Sequence, residues 1–376
     1  MEIYISRPGD TLGAVARRFG VNESRLAYIN HLGDPRRLTA GLALVIPGPV
    51  DLPQESIELA ASVFPSIPDS ALSELLPSLS FLFSFCRRIL PDGTLSPMDD
   101  ERLRRAAAFS HTLPMLTVSN VSGDGYSGEL AHRLLSSDEG QQTLLDSILS
   151  ALEEGGYKGL HLNFGALHPF DRDNYNRFLR LASKELHAAG YWLITAVAPR
   201  EHDDDASFLC AAHDYRAHGL YADRVVLLAY DWGNSRSAPQ AVSPVGRIRA
   251  ALDYAQGKIP AGKLLLGMSG YGYNWSLPWR QGDSASPLFH SSAVNLAVAT
   301  GAEIHFDPAF QASFFSYTGP DSRRHLVWFE DVRSIRARML LVKEYGLAGI
   351  CHWAGNRPSR PGMIYAQSMY SGEKLI

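Results

Sequence analysis

The chain has 376 residues, of which 45% are hydrophobic and 20% charged, as expected for a folded globular protein with one large core and a small additional module. A formal net charge of −4 gives no general attraction for nucleic acid or an anionic membrane, so we expect neither as a partner. The longest apolar stretches are too short to span a bilayer, and the N-terminus lacks the pattern of a secretory signal peptide, which predicts synthesis in the cytoplasm.

Residues 1–48 predict a small βααβ unit. Ile3 to Ile5 favours a strand, and apolar residues recur at helical spacing from Leu12 to Phe19, with Asp10 or Thr11 as the helix cap. A second helix is expected over Glu23 to Ile29, and a second strand over Leu42 to Ile46. The proline-rich residues 49–55 then predict a stiff linker.

From residue 56 to residue 376, strand-like and helix-like segments alternate. The eight candidate strands are Leu59–Phe64, Leu79–Cys86, Pro114–Asn120, Gly159–Phe164, Trp192–Ala198, Arg224–Trp232, Lys263–Tyr271 and Ala348–Trp353. Amphipathic helices are expected over Gln142–Glu154, Asp173–Ala189, Val245–Gln256 and Val332–Tyr345. This order predicts an α/β fold, a (β/α)₈ TIM barrel, with a small α+β insertion at about 274–330 between the seventh and eighth strands.

Neither the cysteines nor the histidines predict a metal site. Cys86, Cys210 and Cys351 lie in separate apolar stretches, which favours reduced, mostly buried thiols. The thirteen histidines show no His-Glu-x-x-His or comparable spacing, and the glycine-rich stretches lack a phosphate-loop pattern. We therefore expect no metal and no cofactor.

Four short segments of the N-terminal unit carry a family resemblance. They are Pro-Gly-Asp-Thr-Leu (8–12), Ala-Arg-Arg-Phe-Gly-Val (16–21), Leu-Ala-Tyr-Ile-Asn (26–30) and Leu-Val-Ile-Pro-Gly (44–48). The unit resembles a LysM carbohydrate-binding module, a family that binds N-acetylglucosamine polymers such as peptidoglycan, chitin and chito-oligosaccharides. The resemblance implies sugar contacts at Gly9, Asp10, Thr11, Asn30 and Leu32. A small domain that binds protein is the alternative.

The remainder resembles the family-18 glycoside hydrolases. The matching segments include Ser84-Phe85, residues 91–95, 127–135, 198–199, 228–233, 266–267, 271–273, 327–334 and 349–353. Within that family the chain is most similar to LysM-bearing glucosaminidases of spore cortex peptidoglycan, which implies association with the spore or cell wall. The family's substrates use their own acetamido oxygen as nucleophile, an exception to the two-carboxylate scheme of most glycosidases.

One strand departs from the family pattern. Where the family has Asp-Gly-x-Asp-x-Asp-x-Glu, this chain has Lys158, His161, Asn163 and Gly165 at the four acidic positions. The resemblance implies that the missing glutamate at position 165 is the general acid and that the missing aspartate at 163 positions the acetamide. The following segment, from Pro169 to Tyr175, matches without a gap, so the register is expected to be correct. Strand alternation would direct Asn163 and Gly165 into the barrel.

Other family positions keep their residues. The resemblance implies sugar contacts at Tyr230, Asp231, Trp353 and Asn120 in the barrel, with Asn163 added from the altered strand. The alternatives are that Tyr230 and Asp231 only satisfy hydrogen bonds at a strand end, and that Trp353 belongs to the core. The other candidate groove residues are Trp232, Trp275 and Trp279, which extend the groove or pack the insertion.

Three hypotheses follow. The favoured one is a catalytically inactive protein that binds glycans containing N-acetylglucosamine, because Gly165 and Asn163 replace the acid pair. The second is an active N-acetylglucosaminidase of spore cortex peptidoglycan that uses another acid. The third is a structural spore or cell-wall protein that is anchored by LysM.

Overall fold

The computed structural model describes residues 1–34, 37–48, 55–123, 125–203, 207, 209–357 and 359–375. The predicted linker lies outside the described residues, apart from Glu55. The N-terminal unit has the expected order, namely β1 (Glu2–Ile5), α1 (Leu12–Phe19), α2 (Glu23–Ile29) and β2 (Ala43–Ile46). The Thr11 hydroxyl caps α1 by accepting the N–H of Ala14 at 3.2 Å.

The later strands are numbered in chain order. They are β3 (Ser56–Val63), β4 (Phe81–Arg88), β5 (Leu113–Ser119), β6 (Val121–Ser122), β7 (Gly125–Tyr126), β8 (Gly159–Asn163), β9 (Trp192–Val197), β10 (Arg224–Leu227), β11 (Leu264–Ser269), β12 (Tyr271–Leu277), β13 (Ser286–Phe289), β14 (His305–Asp307), β15 (Ala312–Thr318), β16 (Arg324–Phe329), β17 (Gly349–Trp353) and β18 (Ser371–Gly372).

The later helices surround these strands. They are α3 (Asp69–Leu75), α4 (Glu101–Phe109), α5 (Gly128–Leu135), α6 (Asp138–Gly155), α7 (Arg172–Ala188), α8 (Tyr215–Tyr221), α9 (Val245–Ala255), α10 (His290–Thr300), α11 (Val332–Tyr345) and α12 (Arg360–Met369). Among the described residues, no helix is long and apolar enough to cross a membrane.

Eight parallel strands form a closed barrel, which confirms the predicted fold class. Its order is β3, β4, β5, β8, β9, β10, β11 and β17, and β17 pairs with β3 to close the ring. The sixth barrel strand is shorter than predicted, because β10 ends at Leu227. The chain then turns away, and Asp231 has a φ of 67°.

Side-chain alternation along β8 follows the prediction. Leu160, Leu162 and Phe164 belong to the main core between the strands and the outer helices. His161 points into the barrel, where its ring stacks on Phe83 with the centroids 4.2 Å apart. Asn163 and Gly165 are therefore presented at the mouth of the barrel, at the carboxyl ends of the strands.

The insertion is a five-stranded antiparallel sheet in the order β13, β12, β16, β15 and β14. The sheet begins at Tyr271, earlier than the expected start at about 274. Helix α10 packs on the sheet through Ala293, Val294 and Ala297.

The N-terminal unit is packed against this insertion. Apolar residues of the unit, such as Leu12 and Leu44, share one core cluster with Val294 and Phe315. The backbone N–H of Ile304 donates to the Ala40 carbonyl at 2.9 Å, and the Thr39 hydroxyl donates to the Ala302 carbonyl. At Gly41 a Cβ atom would lie 1.8 Å from the Ile304 carbonyl oxygen, so this close approach needs glycine. The unit and the insertion therefore form one packed body.

Candidate functional site

A cavity of about 350 Å³ opens at the mouth of the barrel. It brings together five residues that the sequence analysis selected, namely Asn163, Gly165, Tyr230, Asp231 and Trp353. Because these residues come from strand ends that are far apart in sequence, barrel closure is what assembles the cavity.

The side of the cavity formed by β8 has no carboxylate. A Cβ atom on Gly165 would lie 2.8 Å from the ring of Tyr126, which closes the hairpin β6–β7. Such a contact is closer than side-chain carbon atoms tolerate, so the tyrosine ring fills the space that a side chain at position 165 would need. This position offers the cavity no titratable group.

Asn163 is paired with the same tyrosine. The Tyr126 hydroxyl donates to the Asn163 side-chain oxygen at 3.1 Å, and Asn163 is only 6% exposed. Burial raises the pKa of Tyr126 to about 12, so its hydroxyl stays protonated at neutral pH. This wall of the cavity is therefore polar but uncharged.

Asn120, for which the sequence predicts a sugar contact, is not among the described residues that line this cavity. Its side chain is fully buried, and its oxygen accepts the Gly165 N–H at 3.0 Å. Its amide nitrogen donates to the carbonyls of Gly165 at 2.9 Å and Ser127 at 3.0 Å. The amide is thus engaged in holding Gly165 to the base of the β6–β7 hairpin.

The opposite side of the cavity keeps a carboxylate. Asp231 is exposed at the mouth and accepts a hydrogen bond from the Tyr271 hydroxyl at 2.6 Å. Partial burial raises the pKa of Asp231, while the bond from Tyr271 acts in the opposite direction. Tyr230 lies beside it, and burial raises the pKa of that phenol well above its ordinary value. Both groups can hydrogen-bond a polar ligand.

Trp353 forms an aromatic wall. Its indole packs edge-on against Phe85 with ring centroids 4.5 Å apart, and it also contacts Phe64 at 5.8 Å. The indole is half-buried and lines the cavity, so it is not an interior core residue. A flat apolar surface of this kind suits the C–H face of a pyranose ring.

The nearby histidines are engaged elsewhere. His213 lines the cavity, but its Nε2–H donates to the Phe164 carbonyl at 3.0 Å and its Nδ1 accepts the Ala198 N–H at 3.0 Å. Burial lowers the pKa of His213 to about 4 and that of His161 to about 3. His168 packs against Phe170 with ring centroids 4.9 Å apart. None of these imidazoles is placed as a proton donor to the cavity.

Buried carboxylates elsewhere in the described ranges all have partners. Asp171 precedes α7, and its carboxylate accepts a hydrogen bond from His132 Nδ1 at 2.8 Å and makes no capping bond. The other pairs are Glu58 with Arg224, Asp100 with Tyr157, Glu330 with Arg338 and Asp331 with Arg333. Among the described residues that line this cavity, Asp231 therefore carries the carboxylate that is available to a ligand.

The predicted LysM contacts divide into two groups. Gly9 and Thr11 are exposed in the turn before α1, and the Asp10 carboxylate accepts the Arg7 N–H and the Tyr4 hydroxyl, each at 2.7 Å. Asn30 is 3% exposed, and its amide bonds the backbone of Leu26 and Val45, so it supports the fold of the unit. Leu32 packs against the core that is shared with the insertion.

The three other candidate tryptophans, Trp232, Trp275 and Trp279, are not among the described residues that line the cavity. Trp275 is fully buried, donates to the Ser237 carbonyl at 2.8 Å and packs in the insertion with Trp279. Trp232 packs against the barrel core. Among the lining residues that the sequence analysis did not assign to the site are Phe85, Tyr126 and His213, of which Phe85 stands inside a matching segment and Tyr126 immediately precedes one. Tyr271, whose hydroxyl holds Asp231, also stands inside a matching segment. As expected, the three cysteines are thiols, and two of them are buried.

Comparison with known proteins agrees with this architecture. Residues 82–357 match Glycosyl hydrolases family 18, and residues 4–47 match the LysM domain. The cortical fragment-lytic enzyme of Bacillus subtilis (strain 168) is 36% identical over an alignment of 406 positions, which covers 94% of this chain and 94% of that protein.

Two solved structures are similar over nearly the whole chain. The spore cortex-lytic enzyme SleL of Bacillus cereus has a TM-score of 0.81 and 32% identity, covering 99% of this chain and 87% of that one. SleL of Bacillus megaterium QM B1551 has a TM-score of 0.80 and 29% identity, covering 100% of this chain and 87% of that one. This chain therefore belongs to glycosyl hydrolase family 18 and carries an N-terminal LysM domain.

Proposed function

We propose that this protein binds glycans that contain N-acetylglucosamine, of the peptidoglycan type, and does not hydrolyse them. The observation that carries the proposal is the glycine at position 165, whose side-chain space is filled by the Tyr126 ring. The related cortical fragment-lytic enzymes support spore cortex peptidoglycan as the glycan and the spore as the location.

The chemistry of the family supports the loss of hydrolysis. Cleavage needs a proton on the departing sugar oxygen, and a positioned general acid contributes about 10²- to 10⁴-fold to the rate. The positive charge that develops when the acetamido oxygen attacks the anomeric carbon also needs a nearby negative charge. Gly165 cannot donate a proton, and Asn163 is neutral and already accepts a hydrogen bond from Tyr126.

The retained side of the cavity supports binding. Trp353 presents an indole face, while Tyr230 and Asp231 present hydrogen-bonding groups to the same cavity. Flat apolar and convergent polar groups together are what a pyranose ring with an acetamide requires. A barrel that served only as a scaffold would have no need to keep these side chains exposed to a cavity.

Calorimetry with N-acetylglucosamine oligomers tests the binding. Trp353→Ala should weaken binding about tenfold or more, since a buried tryptophan contact is a typical hot spot. Phe109→Ala is a suitable control, because Phe109 is 90% exposed on α4 and its loss should leave affinity unchanged. Equal binding by wild type and Trp353→Ala would exclude the barrel cavity as the site.

A separate assay tests the absence of hydrolysis. The purified protein should release no reducing sugar from cortex peptidoglycan. Release that is abolished by Asp231→Asn would instead establish an active glucosaminidase and contradict the proposal.

A further inference from the structure

A second cavity, of about 240 Å³, lies where the LysM domain, the barrel and the insertion meet. We call it the junction cavity. Its lining includes His31 of the LysM domain, Glu74 of α3, His290 of α10, and Asn356, Arg357 and Arg360 from the segment after β17.

His290 is buried at this cavity without a partner. It is 5% exposed, and among the described residues neither of its ring nitrogens has a hydrogen-bond partner. Buried polar groups are almost always hydrogen-bonded, so an unpaired imidazole that borders a cavity points to a bound ligand.

The same residue begins helix α10, which has 11 residues and no side-chain cap at its N-terminus. The first N–H groups of a helix lack partners within it and attract anions. Ser291, in the first turn of this helix, also lines the junction cavity. The helix end and the unpaired imidazole therefore face the same space.

The charges at the junction cavity favour an anion. Glu74 is engaged by Arg360, whose Nε and Nη2 atoms lie 3.2 and 2.9 Å from its oxygens, and by the Tyr28 hydroxyl. Arg357 is exposed, lies 5.2 Å from the centroid of the Phe289 ring, and has no carboxylate partner within the part of the chain that the structure describes. The Arg357 guanidinium therefore leaves a positive charge at this cavity that no carboxylate of the described residues neutralises.

The junction cavity is close to the barrel cavity. The Asn356 side-chain oxygen accepts the Phe64 N–H at 2.8 Å, and the Phe64 ring contacts Trp353. On the other side, His31 directly follows Asn30 in the LysM domain. One hydrogen bond and one ring contact thus connect the linings of the two cavities.

We propose that the junction cavity binds a carboxylate of the glycan strand, with Arg357 as its main contact. This inference rests on the proposed function, because peptidoglycan alternates N-acetylglucosamine with N-acetylmuramic acid, whose lactyl carboxyl is either free or bears a stem peptide that itself ends in a carboxylate. Arg357 supplies a planar fork of donors that matches a carboxylate, and the α10 N-terminus and His290 supply further donors. Arg357 thus selects acidic muramic-acid glycans over neutral chitin oligomers.

Calorimetric titration with two disaccharides tests the inference. One is neutral chitobiose, and the other is N-acetylglucosaminyl-N-acetylmuramic acid with a free lactyl carboxylate. The wild type should prefer the acidic disaccharide, and Arg357→Ala should weaken its binding about tenfold or more, as expected for the loss of a charge-assisted hydrogen bond. Binding of chitobiose should not change, and Arg357→Lys should retain part of the preference.

Arg105→Ala is the matched control, because Arg105 is an 80% exposed arginine on α4 and its loss should leave both titrations unchanged. A third ligand, the same disaccharide with a dipeptide on the lactyl group, identifies the source of the carboxylate. If only this ligand depends on Arg357, the bound group belongs to the stem peptide. An acidic preference that survives Arg357→Ala, or no preference in the wild type with any of these ligands, would overturn the inference.

The two proposals fail in different ways. Trp353→Ala should weaken both disaccharides, whereas Arg357→Ala should affect only the ligand with the carboxylate. Loss of the first effect contradicts glycan binding by the barrel, and loss of the second contradicts only the junction cavity.

Discussion

The two sides of the barrel cavity differ in the groups that they present. On the β10 and β17 side, Tyr230, Asp231 and Trp353 face open space. On the β8 side, Asn163 and Gly165 present no carboxylate, and the Tyr126 ring occupies the volume beside them. One side presents groups that suit a sugar, whereas the other is a packed neutral wall.

The contacts on the β8 side form one connected set. Asn120 bonds both backbone groups of Gly165 and the base of the hairpin, and that hairpin carries Tyr126 onto Asn163. Asn163, Gly165 and Tyr126 therefore depend on one another through direct contacts. Two acidic side chains introduced at positions 163 and 165 alone would lack the space that they need.

Restoring the acid pair together with its space should have the largest effect. The triple variant Tyr126→Ala, Asn163→Asp and Gly165→Glu should release reducing sugar from cortex peptidoglycan, about 10²- to 10⁴-fold faster than the same variant with glutamine at position 165, which is the usual contribution of a general acid. The double variant that keeps Tyr126 should gain little, because the new Cβ atom would lie 2.8 Å from the tyrosine ring. We also expect that variant to be destabilised by about 1–3 kcal/mol through overpacking.

A triple variant with glutamine in place of the introduced glutamate controls for shape, since it fills the same volume without an acid. Equal rates for the double and triple variants would show that Tyr126 does not block the site. An inactive triple variant would show that the retained side is not competent for hydrolysis.

Asn120→Ala should have the next largest effect. It removes three hydrogen bonds of a buried amide and leaves the N–H and carbonyl of Gly165 unpaired, which should cost about 3 kcal/mol of unfolding free energy. Urea denaturation measures this loss. Asn22→Ala, which removes the exposed cap of α2, is the comparison and should cost about 1 kcal/mol. If Asn120→Ala lowers the unfolding free energy no more than Asn22→Ala does, the proposed role of Asn120 in holding Gly165 to the hairpin is contradicted.

Asp231→Asn on the retained side should have the smallest effect, and an opposite sign. The raised pKa means that folding disfavours the ionised Asp231, so the wild type loses stability as the pH rises through this pKa. At neutral pH the asparagine variant should be more stable by less than about 1 kcal/mol, as is usual for an exposed position.

The gain in stability from Asp231→Asn should vanish below the ordinary pKa of an aspartate, where the protonated Asp231 side chain and the asparagine are both neutral. Thermal unfolding across this pH range measures it, with the exposed Asp99→Asn variant as a control for the loss of one charge. A stability difference that does not change with pH would contradict the effect of burial on Asp231.

Much of the fold followed from local patterns. Each of the eight predicted barrel strands has a counterpart, because strand alternation such as that of Leu160 and Leu162 directly reports which face meets the helices. The same alternation, with the register set by the segment after β8, directed Asn163 and Gly165 to the mouth of the barrel. Residues whose role depends on chain direction and side-chain period were thus predictable.

Residues whose role depends on long-range packing were not. The sequence predicts sugar contacts for Asn120 and Asn30, but it does not report that their amides bond backbone groups that only the folded chain brings near. Tyr126 fills the space beside Gly165 because a two-stranded hairpin folds over the mouth, which local spacing does not report. Likewise, the close approach at Gly41 that joins the LysM domain to the insertion is a tertiary feature.

The shared core of the LysM domain and the insertion has a consequence for long ligands. When a flexible linker joins two binding surfaces, the avidity of the pair for one polymer depends on the length of the linker. In this protein, packed side chains fix the position of the LysM domain relative to the insertion. If the LysM domain and the barrel cavity both bind sugar, as proposed above, polymers long enough to span the two sites should gain avidity, while short oligomers should occupy them independently.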